Sequence, residues 1–294
     1  MHTNRNWRCF GIGLLATALW ACGASGGASE TAPGGATTSS HGADGGTGGA
    51  SAGSGGTGTG GHGAEAGAAG GTAGGGGSAP STGIDPSNGS GGTIGPGQTG
   101  TTALGAIIRI PAGYAPEVLA SPVVWLFNEE LPQWSAIADA NGIVLVDLDE
   151  YNDVNAIVAK LNESQSVVEA EYNVDRARYY WAGWSAGGNI VVILASQNQD
   201  AVAGTMVFPG TGGSYAQPYM ASNQGHKLRL FYACGDQDPN YGWQVVENEA
   251  GVWTTMGYTT RFVKVAGASH YIDEPTYGVR ADAWGWIKDF NLQN

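Results

Sequence analysis

The six residues Gly183-Trp184-Ser185-Ala186-Gly187-Gly188 set a serine among small neighbours in the pattern G-x-S-x-G. That pattern suits a sharp strand-to-helix turn presenting a serine hydroxyl as the nucleophile of an acyl transfer. The flanks agree with it. Arg178-Tyr179-Tyr180-Trp181-Ala182 is aromatic and β-prone, and Asn189-Ile190-Val191-Val192-Ile193-Leu194-Ala195 is apolar and long enough to begin a buried helix. In so tight a turn, side chains at the two glycine positions of the pattern would collide with neighbouring backbone.

A serine hydroxyl is a weak nucleophile until a base takes its proton. Beyond residue 102 the only histidines are His226 and His270. His270 lies in the small-residue loop Val265-Ala266-Gly267-Ala268-Ser269-His270-Tyr271, after the last expected strand, where a base is needed. His226 precedes the strand expected at Leu228–Cys234, whose far end should carry the acid. It is therefore expected at the wrong edge of the sheet, on the surface. The acid belongs in Gly235-Asp236-Gln237-Asp238-Pro239-Asn240-Tyr241. Asp236 and Asp238 are both candidates. One carboxylate accepts from the imidazole N–H and fixes its tautomer; the other serves a turn or caps the helix ahead of Trp243.

Acyl transfer also needs donors aimed at the tetrahedral oxyanion. One is the backbone N–H of Ala186. The other is expected from Trp125-Leu126-Phe127-Asn128-Glu129-Glu130, through the N–H of Phe127 or Asn128, and Asn tolerates left-handed backbone. This segment has no glycine, and Glu129 and Glu130 would bring negative charge to an oxyanion unless they point to solvent. Trp184 and Tyr241, with Tyr215 and Tyr219 in expected loops, are candidates to line an acyl or aryl pocket.

Positioning these groups takes a regular frame. Strands are expected at Ala106–Ile110, Val123–Phe127, Ile143–Leu148, Tyr179–Ala182, Gly204–Phe208, Leu228–Cys234 and Thr260–Val265. Helices are expected at Gln133–Asn141, Asp153–Tyr172, Ala186–Gln197, Trp243–Met256 and Tyr277–Phe290. The alternation predicts a mostly parallel central sheet with helices on both faces, and the continuous apolar runs suit strands covered on both sides. Cys234 reads as a small buried hydrophobe within its strand. The acidic run Asp147, Asp149, Glu150 and Asp153 reads as a solvated loop, so no metal and no cofactor are expected.

The chain of 294 residues divides into two materials. Of its 51 glycines, 31 fall between Gly23 and Gly100, and no Lys or Arg occurs between Arg8 and Arg109. Residues 22–101 are expected to be a disordered tether with too little apolar surface to fold, spanning roughly 50 Å as a flexible coil. Residues 102–294 are expected to form one domain with a sizeable core. That domain has ten basic and 21 acidic residues, a net of −11, which disfavours nucleic acid and polyanionic substrates. Residues 1–21 read as a signal peptide, with Arg5 and Arg8 ahead of a short apolar stretch from Phe10 to Leu19. No apolar run is long enough to span a membrane. Leu19-Trp20-Ala21-Cys22 is similar to a bacterial lipobox, in which Cys22 would carry the lipid; an ordinary cleaved signal is the alternative. The expected location is the cell envelope, anchored at the outer membrane, or secreted if no lipid is attached.

With these residues assembled, residues 105–290 resemble the secreted esterase branch of the α/β-hydrolase superfamily, which includes polyhydroxybutyrate depolymerases and feruloyl esterases. The likeness rests on Ile110-Pro111-Ala112-Gly113-Tyr114, on Tyr172-Asn173-Val174-Asp175-Arg176 leading to Gly183–Gly188, and on the loops Gly235–Asp238 and Gly267–His270. The resemblance implies the α/β-hydrolase fold, with Ser185, Asp238 and His270 as the triad in that chain order and Ala186 in the oxyanion hole. Asp238 is preferred over Asp236 because the acid usually stands three residues beyond the strand-end glycine. The implied activity is hydrolysis of small or polymeric neutral esters by a monomer. The alternative is a binding or structural lipoprotein that keeps the fold without turnover, a reading motivated by the Phe127–Glu130 segment.

Overall fold

The computed structural model of the chain describes residues 89–92, 95, 99–150 and 152–293. The signal segment, Cys22 and the tether up to residue 88 lie outside the described residues. Eight strands form one sheet: β1 (Thr99–Thr101), β2 (Ile107–Arg109), β3 (Ser121–Phe127), β4 (Val144–Asp147), β5 (Val174–Gly183), β6 (Gly204–Val207), β7 (Arg229–Gly235) and β8 (Thr259–Val265). Their order is β1-β2-β4-β3-β5-β6-β7-β8. The pairs β1–β2 and β2–β4 are antiparallel, and all later pairs are parallel. Among the described residues seven α-helices accompany them, besides one 3-10 turn at Gln199–Ala201: α1 (Leu131–Asn141), α2 (Val154–Glu171), α3 (Ala186–Gln197), α4 (Gly213–Ser222), α5 (Trp243–Thr255), α6 (Glu274–Tyr277) and α7 (Val279–Ile287).

The central strands bury both faces, which is why their sequences are apolar runs without alternation. Val123, Trp125 and Phe127 of β3 join Tyr179 and Trp181 of β5 in a core covered by α2, α3, α4 and α5. Val124 and Leu126, with Tyr180 and Ala182, point the other way and are covered by α1 and α7. Trp125, Trp134, Trp181 and Trp253 are fully buried and supply much of the bulk of these two layers. Among the described residues, no helix is long and apolar enough to cross a membrane.

All seven expected strands are present, with ends shifted by a few residues, and β5 starts as early as Val174. Four differences have physical causes. Strand β1, Thr99–Thr101, lies inside the segment expected to be tether. It is held by antiparallel pairing to β2 and not by apolar side chains. Upstream, Ser90 N–H donates to Val174 O at 2.9 Å, Val174 N–H to Ser90 Oγ at 3.0 Å, and Gly91 N–H to the Asn173 side chain at 3.1 Å. The folded part therefore reaches ahead of the expected boundary at residue 102. Helix α4 was expected as loop, because Gly213, Ser214 and Pro218 are weak helix formers; Ala216 and Met220 nevertheless bury its inner face. The last expected helix is split by Gly278, whose φ of 63° ends α6 before α7 begins.

Candidate active site

Parallel strands end on the same edge of a sheet, and three of these ends carry the reactive groups. β5 stops at Gly183, and α3 starts at Ala186. Between them Ser185 has φ 55° and ψ −121°, a conformation costly for a side-chain-bearing residue, of order 1–3 kcal/mol. The turn is held from both sides. Trp184 N–H donates to Phe127 O at the end of β3 (3.2 Å), and Ser185 N–H donates to Pro209 O beyond β6 (2.9 Å). Asn189 N–H then closes the first turn of α3 onto Ser185 O at 3.1 Å. A Cβ on Gly187 would run into the Phe127 carbonyl, so only glycine lets α3 approach β3 this closely.

His270, on the loop after β8, brings Nε2 to 2.8 Å from Ser185 Oγ. Its Nδ1 lies 3.0 and 3.1 Å from the two Asp238 carboxylate oxygens. A carboxylate only accepts, so it holds the ring proton on Nδ1 and leaves Nε2 free to accept from the serine hydroxyl. The Asp238 side chain is fully buried at the end of β7. Its Oδ1 also accepts from Asn240 N–H (2.8 Å) and Tyr241 N–H (3.0 Å), which anchors it to its own loop. Asp236 is exposed and accepts from Gly267 N–H at 2.8 Å, stapling the acid loop to the histidine loop. Of the two candidate acids, the fold thus brings Asp238 to the imidazole. Cys234 is buried beside Asp238. Burial, then the Asp238 charge, pushes its thiol up to about 12, so it stays protonated.

The histidine ring is flanked by the two aromatic residues singled out for substrate contact. Tyr241 is parallel to it at 5.7 Å between centroids, and Trp184 lies tilted at 5.0 Å. The Trp184 indole N–H donates to His270 O at 3.0 Å, and Tyr241 OH donates to Asn189 Oδ1 at 3.1 Å. Tyr215 and Tyr219 are on α4, not in loops; both are exposed. At the expected oxyanion segment, Phe127 is fully buried with its ring 5.4 Å from Trp181, and its carbonyl is occupied by Trp184 N–H. The chain turns at Asn128, with φ 50°, and Asn128 Nδ2 donates to Trp184 O at 3.2 Å. Ala186 opens α3, whose first turn carries no acidic residue. Its end is a region of positive potential.

No family model matches the sequence, and a search of curated proteins finds no relative. Solved structures do resemble it. S-formylglutathione hydrolase of Staphylococcus aureus superposes with a TM-score of 0.52 at 13% identity, over 65% of this chain and 94% of that one. A Bacteroides ovatus protein described as a dipeptidyl aminopeptidase IV gives a TM-score of 0.50 at 11% identity. The match takes in 66% of this chain but only 35% of the much longer Bacteroides protein. The chain has the α/β-hydrolase fold.

Within this hydrolase fold the two glutamates after Asn128 part company. Glu129 does not point to solvent. Its carboxylate is buried and accepts from the equally buried Arg280 of α7, at 2.6 Å from Nε and 2.5 Å from Nη2. Burial pushes the Glu129 carboxyl up, to about 7, against the opposing pull of Arg280. Glu130 is exposed and accepts from Tyr271 OH at 2.8 Å. Sequence reasoning missed Arg280, and it missed Glu249. The latter is a buried carboxylate on α5 accepting from Gly212 N–H (2.8 Å) and Gly213 N–H (2.7 Å), which fixes the loop beside Pro209. Neither had a local signal, because each partner lies far away in the chain.

His226 lies just before β7, at the opposite end of that strand from Asp238. It is half-buried, not a surface residue, and burial, then the Arg229 charge, lowers its pKa. Asp147 ends β4. Its pKa is raised to about 6, mainly by burial, and it accepts from Asp149 N–H at 2.9 Å. Among the described residues, no group of three or more His, Cys, Asp or Glu side chains is placed to hold a metal ion.

Proposed function

We propose that this chain is an extracytoplasmic serine hydrolase that cleaves neutral carboxylic esters through an acyl-enzyme. The observation that carries the reading is the unbroken relay Ser185 Oγ, His270 Nε2 at 2.8 Å, and His270 Nδ1 to the buried Asp238 at 3.0 Å. In this reading Ser185 Oγ attacks the ester carbonyl as His270 takes its proton, and Asp238 stabilises the imidazolium. The N–H groups of Ala186 and Asn128 receive the oxyanion. His270 then protonates the departing alkoxide. A water, deprotonated by the same imidazole, attacks the acyl-enzyme and releases the acid with Ser185 restored.

Trp184 and Tyr241 border the imidazole, and we assign them to the wall met by the acyl or aryl group of the ester. The resemblance to polyhydroxybutyrate depolymerases and feruloyl esterases directs the choice of substrates toward hydroxyalkanoate and cinnamoyl esters. Cys22 is the proposed lipid site, and residues 23–88 the tether to the outer membrane. The binding-only alternative is motivated by the missing glycine and the two carboxylates of the Phe127–Glu130 segment. The pairing of Glu129 with Arg280 supports the enzyme reading over it.

The test is a fluorophosphonate probe on the folded protein, with peptide mapping, beside a panel of p-nitrophenyl esters of graded chain length. The expected result is a single label on Ser185, absent in Ser185→Ala, together with ester turnover. Folded protein that neither labels nor turns over any ester would refute the enzyme reading in favour of the binding one.

A further inference from the structure

The proposed site has a buried ion pair behind it, and Arg280 joins segments that are far apart in the chain. Its Nε and Nη2 donate to Glu129, the residue after the proposed oxyanion donor Asn128. Its Nη1 donates to Ile272 O at 2.5 Å, two residues after His270. Its guanidinium carbon lies 5.0 Å from the ring centre of Phe208, and the next residue, Pro209, accepts the Ser185 N–H. Its backbone N–H donates to Glu274 at 2.6 Å, at the start of α6. One side chain thus touches the loop after β3, the loop after β8 and the turn after β6, and these three loops supply or support the oxyanion donor, the base and the nucleophile.

We infer that Glu129 and Arg280 form a positioning pair that sets the Asn128 N–H and the His270 loop in register with Ser185. The inference rests on the esterase reading above. Neither residue is placed to touch an ester; both act through the backbone of their neighbours. A guanidinium is suited to this because its planar fork can serve two acceptors at fixed angles, which a lysine ammonium does not do. The pair also sets a buried positive charge against the Glu129 carboxyl behind the oxyanion segment. Replacing it with a weaker contact therefore changes the geometry of the transition state more than the affinity for the ground state.

The experiment uses Glu129→Gln, Arg280→Lys and the double variant in the full chain. Fluorophosphonate titration counts competent sites, and thermal unfolding is followed in parallel. Glu129→Gln is isosteric and keeps an acceptor for Arg280, so it decides the matter even if Arg280→Lys fails to fold. Each folded single variant is expected to lose about tenfold in kcat per titrated site, with KM within about twofold, because a donor displaced by a fraction of an ångström loses part of its effect. The double variant is expected to be no worse than the poorer single, since the two side chains act as one unit. Unchanged kcat in Glu129→Gln with only a lowered melting temperature would overturn the inference, as would losses that multiply in the double variant. An inactive wild type would overturn the esterase reading and this inference with it; an active wild type separates the two.

Discussion

Replacing Asp238 by asparagine tests the proposed relay at its most constrained point. The carboxylate uses Oδ1 for the Asn240 and Tyr241 N–H groups and faces His270 Nδ1 with both oxygens. An asparagine has one acceptor oxygen. The two loop N–H groups claim it, because the opposite orientation would set an NH2 against two donors. The NH2 then faces Nδ1, which must present a lone pair. The ring proton moves to Nε2, where it points at Ser185 Oγ, and the base is lost while the geometry survives. The expected loss is about 10⁴-fold in kcat, or about 5 kcal/mol of transition-state stabilisation. Asp236→Asn is the control. It is exposed, and its replacement keeps an oxygen for Gly267 N–H, so kcat is expected to stay within about twofold, as for surface changes generally. The assay is kcat on a short-chain p-nitrophenyl ester, with sites counted by titration and folding checked by thermal unfolding. Equal losses in the two variants, or a greater loss in Asp236→Asn, would refute the assignment of the acid.

Ser185→Ala and His270→Ala are each expected to abolish nearly all ester turnover with little change in melting temperature; a variant of either kind retaining a tenth of wild-type kcat counts against the relay. Gly187→Ala is expected to be inactive and less stable, because its Cβ meets the Phe127 carbonyl, and wild-type activity there would contradict the elbow packing. Asp147 binds its proton more tightly folded than unfolded, so its contribution to stability is greatest below pH 4 and is lost as pH rises toward 6. Asp147→Asn, which keeps an acceptor for Asp149 N–H, should therefore gain about 1–2 kcal/mol above pH 6 and nothing at pH 4 in urea titrations; equal effects at both pH values would refute this. A chain starting at residue 89 should melt like the whole domain, whereas one starting at residue 96 loses the Ser90 and Gly91 bonds and should melt a few degrees lower; identical melting would show that those bonds contribute nothing.

What was legible in the sequence follows the range of the interactions. The strand runs, the helix starts and Gly183–Gly188 are local signals, and the sheet places them as expected. His270 was legible by elimination, because only two histidines lie in the domain. Asp238 was preferred to Asp236 only by its offset from Gly235 and the family resemblance, and the fold separates them by burying one against the imidazole and turning the other toward Gly267. Strand β1 was hidden because its stability comes from backbone pairing to β2 and not from an apolar pattern. Glu129 looked like a liability beside the oxyanion segment because its partner stands 151 positions later, at Arg280. No periodicity or motif carries information over that separation.

An acidic chain whose proposed chemistry generates an oxyanion needs local departures from its own charge. The domain's net of −11 sets a background that works against negative charge anywhere on it. Three features offset this at the site. The nucleophile opens α3, whose first turn has no acidic residue, so its N–H groups and the positive end of its dipole stand uncompensated. Asp238 carries its charge on the far side of the imidazole from Ser185, where it favours the imidazolium, and it is held there by its own loop N–H groups. Glu129, the carboxylate nearest in sequence to the proposed second donor, is held against the guanidinium of Arg280 out of contact with water, where burial also favours its neutral form. The remaining acidic residues lower the attraction for anionic ligands, including the carboxylate released when an ester is cleaved. In the proposed reaction, the same charge balance that argues against polyanionic substrates would therefore favour departure of the acid product.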